Sequence, residues 1–186
     1  MTVHLPMEGA ARVPPIFVEV SPDGMVTPMP RDRLLAATPA ELSAIADRIG
    51  WPVGDVASLL LLSLGGTVVT HWGTPSPLLE WARTQNRIRH VGNGVPAEGL
   101  PRSPWHSPFA GDPVAYGDYL LSDRPDLAAR ISELRCMVLA CDCAGGETCH
   151  ARVLVSFADL RLASELTGQP LPVGTRLDQL LAPAGG

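Results

Sequence analysis

Lysine is absent from this 186-residue chain: its 14 basic residues are all arginine, and 19 acidic residues leave a net charge of −5. That balance excludes the broad positive field that draws a protein to a nucleic-acid backbone or an anionic membrane surface. Neither partner is expected, although a local arginine patch stays open. Long apolar runs are also missing. The longest, VASLLLLSLGGTVV at 56–69, is too short and too interrupted by glycine to span a bilayer. The opening MTVHLPMEGAARVPPIFVEV has no basic start followed by a continuous apolar stretch, so no secretory signal is expected. A soluble cytoplasmic protein follows as the expectation. Cysteine is scarce, with four residues, and in that compartment the thiols are expected reduced, which favours metal binding or catalysis over a disulfide framework.

What the chain does contain is 46% hydrophobic residues, enough for a real core, and 18 glycines with 19 prolines, which predict short elements and many loops. Pro14-Pro15, then IFVEV, then SPDG predict a short strand and a turn, with a small hairpin around Asp23-Gly24. TPAELSAIADRIG carries a helix-start signature, with Thr38 as N-cap, Pro39 in the first helical position and Glu41 three residues after the cap. Leu42, Ile45, Ala46 and Ile49 make one apolar stripe along it. A second helix is predicted from Val53 to Leu64 with Val56, Leu59, Leu60 and Leu64 inward, followed by a strand in TVVTHW. Helix, turn, helix and strand resemble the winged helix-turn-helix of many regulators. A DNA-reading helix presents Arg, Lys, Asn or Gln, and this one offers Asp55 and Ser58. A packing or dimerisation unit therefore fits these helices better, and a homo-oligomer through them is one expectation.

Further on, GTPSPLLEWAR enters a short helix and Ile88 to Val91 reads as a strand. Asp112-Pro113 opens a helix to about Leu121, and RPDLAARISELR continues with Leu127, Ile131 and Leu134 on one face. MVLAC (137–141) reads as a buried strand, and Thr148 as the cap of a long helix ending near Gly168 with Val153, Leu154, Phe157 and Ala158 inward. The order strand, helix, helix, strand, helix predicts an α/β fold: a small layered domain with a short sheet, at 84–186. It is preceded by the helix-turn-helix-like region within 1–83.

Three of the four cysteines and one histidine fall in LACDCAGGETCHARVL, at a strand end and a helix start. This is where α/β proteins place chemistry, because free helix N–H groups favour a thiolate. Three readings follow. Cys141, Cys143, Cys149 and His150 form a Cys3His set suited to zinc, although the spacing C-x-C-x5-C-H departs from C-x2-C knuckles. Alternatively Cys149 is a nucleophile with His150 or His106 as base. In the third, the thiols are buried and structural. Cys136, outside the cluster, reads as a core residue.

RSPWHSPF (102–109) sets Trp105, His106 and Phe109 between prolines on a stiff loop. It is either a ligand-stacking platform, with Ser107 as its polar group, or a loop pinned to the core by Trp105 and Phe109. SPWHSPF, Tyr116, Tyr119 and LRCMVLACDCAGGETCHARVL, in that order, resemble the domain of unknown function 4326 family over about residues 84–162. The resemblance carries over onto Trp105, Pro108, Phe109, Cys141, Cys143, Cys149, His150 and Leu154. The chain departs from that pattern at His106 (Gly in the family), Ser107 (Asn), Asp142 (a large aromatic) and Gly145-Gly146 (a proline-containing turn). The family brings no established activity, so the resemblance sharpens the site without naming a substrate. The reading is thus a Cys/His protein binding a metal or a small ligand, in an enzyme acting on a nucleotide-like molecule. Its rival is a regulatory protein with a winged-helix-like module and purely structural cysteines.

Overall fold

The computed structural model describes residues 17–20, 22–23, 25–94, 100, 102–109, 111–143 and 149–167. The expectations at Pro14-Pro15, Gly24, Gly145-Gly146, Thr148 and the C-terminal tail fall outside them. The chain forms two compact units, Met1–Leu64 and Gly65–Gly186.

In the first unit, β1 (Val18–Val20) and β2 (Val26–Pro28) pair antiparallel, with Val18 opposite Pro28 and Val20 opposite Val26. This is the hairpin that the SPDG turn predicts. After a short helix α1 (Arg31–Leu35), α2 runs over Pro39–Ile49 with its capping box complete. The Glu41 amide donates to Thr38 Oγ1 at 3.3 Å, and the Thr38 amide donates to Glu41 Oε2 at 2.8 Å. Arg33 also pairs with the Glu41 carboxylate. The backbone bond from Thr38 and the Arg33 partner hold the Glu41 carboxyl at about 2, below its ordinary 4.5. A pKa lowered on folding contributes stability that is present above the ordinary value and lost as pH falls towards 2. In an NMR pH titration the Glu41 side-chain resonance is therefore expected to move with a midpoint near 2, and Thr38→Ala to shift that midpoint upward.

Gly50 ends α2 in the left-handed region at φ 70°, where a Cβ is disfavoured. In α3 (Val53–Ser63) Val56, Leu59 and Leu62 are buried, whereas Leu60 and Leu64, expected inward, are only half-buried. Four consecutive leucines, 59–62, are apolar all round the helix, so their periodicity does not select a face.

The second unit is built on a three-stranded parallel sheet of order β3 (Val68–His71), β5 (Val138–Cys141), β4 (Ile88–His90). Val68 and Ile88 both pair with Val138. The strand that would serve as a wing, β3, is thus a sheet strand of this unit, as is the helix that follows it, α4 (Pro77–Thr84), an element of the same unit. β3 and all of α4 but Thr84 lie within the stretch 1–83 that sequence patterning groups with the N-terminal helices. The central strand reads VLAC and is buried throughout, as a parallel strand covered on both faces must be. On one face α4 contributes Leu78, Leu79 and Ala82. On the other, Leu139 and Cys141 join a core with α5 (Pro113–Ser122), α6 (Pro125–Ala129) and α7 (Ala151–Thr167).

Leu127, Ile131 and Leu134 are all buried as the spacing predicts, but the segment is two pieces: α6 and a 3-10 turn at Ile131–Leu134. Ile131 and Leu134 lie three residues apart, so the tighter turn stacks them on one side.

Candidate metal centre

The cysteine cluster is assembled at the C-terminal end of the sheet. Cys141 closes β5, fully buried, and the chain doubles back so that the Cys143 amide donates to Cys141 Sγ at 3.3 Å. The two sulfurs are 2.9 Å apart, and both cysteines are free of a disulfide. Cys149 and His150 precede α7 rather than occupying its first turn. They close its open N-terminus, with the Arg152 and Val153 amides donating to the Cys149 and His150 carbonyls at 3.0 and 3.1 Å.

Electrostatics divides the three sulfurs. Cys149 is drawn down to about 5 by a hydrogen bond from Cys141, against the opposing effect of burial, and further by the Ala151 and Arg152 amides. Cys141 is pushed up by the same bond with Cys149 and by burial. Burial also raises Cys143. The electrostatics thus favours the thiolate at Cys149 and the protonated thiol at Cys141 and Cys143.

His150 is 1% exposed and sits edge-on to Tyr116, ring centroids 5.6 Å apart. Its Nε2 lies 2.8 Å from the Val91 carbonyl oxygen and its Nδ1 3.2 Å from Cys143 Sγ. A carbonyl can only accept, so Nε2 carries the proton. That leaves the Nδ1 lone pair facing the sulfur. A ring oriented by a backbone carbonyl on one nitrogen and presenting the other is the usual arrangement of a metal-ligating histidine. The sulfurs of Cys141, Cys143 and Cys149 all lie within 4.8 Å of one another, as do ligand atoms of Cys141, Asp142 and His150. Cys141, Cys143, Cys149 and His150 are close enough to hold a metal ion. Three sulfurs and one imidazole nitrogen suit a soft or borderline divalent ion.

The tryptophan loop is placed differently. Trp105 is 3% exposed and belongs to the core, under the Arg130 guanidinium at 5.8 Å, and its carbonyl accepts from Tyr116 Oη at 2.5 Å. Burial raises the Tyr116 pKa and keeps this hydroxyl a donor. Tyr116→Phe strands a buried carbonyl and is expected to cost about 1–3 kcal/mol in denaturant unfolding. Ser107 is fully buried, and its hydroxyl bonds the Phe109 backbone at 3.0 and 3.1 Å. Its amide donates to the same Val91 carbonyl that orients His150, at 3.1 Å. Phe109 is half-buried, edge-on to Tyr119 at 5.7 Å. His106 Nδ1 bonds the Ser103 carbonyl at 3.0 Å, and among the described residues it has no hydrogen bond to the cluster. The loop therefore meets the cluster through the Val91 carbonyl and through Tyr116, and Trp105 shares a core with Cys141 and Cys149.

Sequence patterning missed three groups here. The Val91 carbonyl is invisible to it because a backbone atom has no residue type. Asp142 reaches over to accept from the Gly94 amide at 2.6 Å. Gly92 and Gly94 flank its carboxylate so closely that a Cβ at either would overlap a carboxylate oxygen. The GNG run was a usable signal, since glycines spaced by one residue mark a place where something approaches the backbone. Comparison with known proteins finds no matching family, no matching curated protein and no matching solved structure.

Proposed function

We propose that this is a zinc-binding protein whose Cys141, Cys143, Cys149 and His150 hold one ion, and that the ion's role is to tie β5, α7 and, through His150 and Val91, β4 into one unit. The observation that carries this reading is the fixed imidazole: Nε2 committed to Val91 and Nδ1 turned to Cys143, beside three sulfurs within 4.8 Å of one another. Zinc fits a donor set of thiolates and imidazole without carboxylate or water. When bound, the ion supplies cross-linking and holds the thiols deprotonated. Cys141, Cys149 and His150 are 0–1% exposed, which favours a closed structural site over a nucleophilic cysteine. The likeness to the domain of unknown function 4326 family over residues 84–162 belongs to the same reading.

Elemental analysis of the purified chain tests it, with one zinc per chain expected and lost in the Cys143→Ser, Cys149→Ser double variant. Because Cys141 and Cys143 keep their protons in the apo cluster, zinc uptake at neutral pH is expected to release about two protons per ion, read from calorimetry in buffers of different ionisation enthalpy. A metal-free protein in which Cys149 alkylates far faster than a free cysteine would move the assignment to the nucleophile.

A further inference from the structure

A second polar site lies on the edge strand β4, over the face that α4 covers, and it does not rest on the zinc reading. A cavity of about 300 Å³ is lined by Arg83 and Asn86 at the end of α4, by Ile88, Arg89 and His90 of β4, and by Leu100, Arg102, Ser103 and Pro104. His90 and Val91 are neighbours in the chain with opposite surroundings. Val91 belongs to the core that includes the cysteines, whereas His90 lines this cavity.

Three of the chain's 14 arginines meet here in a protein of net charge −5. Their donors are largely unspent. Arg89 Nη1 donates to the Ile88 carbonyl at 2.8 Å and Arg102 Nη2 to the Gly94 carbonyl at 3.1 Å, out of five N–H donors each. Neither has a carboxylate partner among the described residues. Arg83 meets Glu80 at 3.8 Å on an exposed helix face, and its guanidinium lies over the Trp72 ring at 5.7 Å, a contact that uses no N–H donor in the ring plane. Nor are the arginines consumed in closing α4. The carbonyls of Trp81, Ala82 and Arg83 already accept from the Gln85, Arg87 and Asn86 amides.

The second, independent observation is His90. It is 1% exposed, and among the described residues neither ring nitrogen has a hydrogen-bond partner. A buried polar ring without partners is destabilising unless something satisfies it. Its ring lies edge-on to Trp72 at 6.3 Å, with Asp142, Arg102, His106 and His150 near enough to act on its charge, and the residue lines the cavity wall. Ser103, also buried, and its amide bond to the His90 carbonyl hold the opposite wall against the strand.

We propose that this cavity binds a small organic phosphate monoester, its phosphate held by Arg89, Arg102 and Arg83 with His90 as a further partner. Three guanidinium groups match a dianion better than the single charge of a carboxylate, and their forked donors suit phosphate oxygens. The volume is at the lower end of small-molecule sites and exceeds what a lone anion fills. Ile88, Leu100 and Pro104 give the organic part an apolar wall.

The full chain is titrated by calorimetry with phenyl phosphate, inorganic phosphate, benzoate and phenol, while the His90 ring resonances are followed by NMR. Saturable one-to-one binding of phenyl phosphate that shifts the His90 resonances is expected, with inorganic phosphate and benzoate each about tenfold weaker or more and phenol not bound. Arg102→Gln and Arg89→Gln should each weaken phenyl phosphate about tenfold or more, the loss of a charge-assisted hydrogen bond. Arg102 is exposed, so its variant keeps the parent unfolding midpoint and separates binding from folding. Phenyl phosphate that fails to saturate at millimolar concentration, or binds equally well to both variants, overturns the site. Benzoate binding as tightly overturns the phosphate assignment, and inorganic phosphate binding as tightly overturns the organic one.

Discussion

Removing the metal with a chelator is expected to lower the stability of the Gly65–Gly186 unit by about 5 kcal/mol or more. Structural zinc sites contribute an apparent 10–16 kcal/mol where the apo chain is unfolded. Here the apolar core with Leu139, Leu154 and Tyr116 retains part of the fold, so the loss is smaller than that full value. The measurement is denaturant unfolding with and without chelator, followed by a resonance in each unit. The Glu41 signal serves as the control, because α2 contains no ligand. Identical midpoints for the second unit would contradict a structural ion.

The apo protein should then show a distinctive pH dependence. Cys149 has a folded value near 5 against an ordinary value of 9, so the unfolded chain binds more protons between those limits. Stability therefore rises with pH from 5 to 9 and is lost as pH falls through 5. Cys141 and Cys143, pushed above 9, act in the opposite sense only at higher pH, where unfolding lets them ionise. An apo protein equally stable at both limits would show that Cys149 is not the thiolate.

Gly92→Ala is expected to destabilise the second unit by about 1–3 kcal/mol, the usual cost of forcing atoms into a filled space. A Cβ there overlaps Asp142 Oδ1 and lies 3.0 Å from the Asp142 amide nitrogen. Because Asp142 adjoins Cys141 and Cys143, the displacement falls on the ligand segment, and zinc affinity should drop in parallel. Adding Asp142→Ala removes the carboxylate in the way, so the double variant should be more stable than Gly92→Ala alone. The rescue is partial, since the backbone contact remains. Unfolding midpoints of the two single variants and the double variant check this. If the double variant is no more stable than Gly92→Ala, the glycine serves some other purpose than making room for Asp142.

Where local chemistry decides conformation, the chain was legible. Thr38, Pro39 and Glu41 specify the start of α2 because a cap involves only neighbouring residues, and the stripe Leu42, Ile45, Ala46, Ile49 marks its less exposed face. The four apolar residues of β5 and the gathering of Cys141, Cys143, Cys149 and His150 were also readable, since these side chains flank one strand-to-helix connection. Long-range pairing was not. TVVTHW looks the same as a wing strand or as a sheet strand, and only its bonds to residues 138–141 decide. The start of α7 at Ala151 leaves Cys149 and His150 ahead of the helix, their carbonyls accepting from the Arg152 and Val153 amides, which the residue pattern does not mark. Trp105 shows the remaining ambiguity. An aromatic between prolines fits both a platform and an anchor, and its burial depends on Tyr116 and Arg130, remote in sequence.

Strand order has a consequence for biosynthesis. The first and second strands of the parallel sheet to leave the ribosome do not pair with each other, because each finds its strand partner in the one that emerges last. Until residues 138–141 are out, neither can form a ladder, and their apolar faces wait unpaired. Sheet closure is therefore a late event of high contact order, and a nascent chain stalled before Val138 should be the species that chaperones hold.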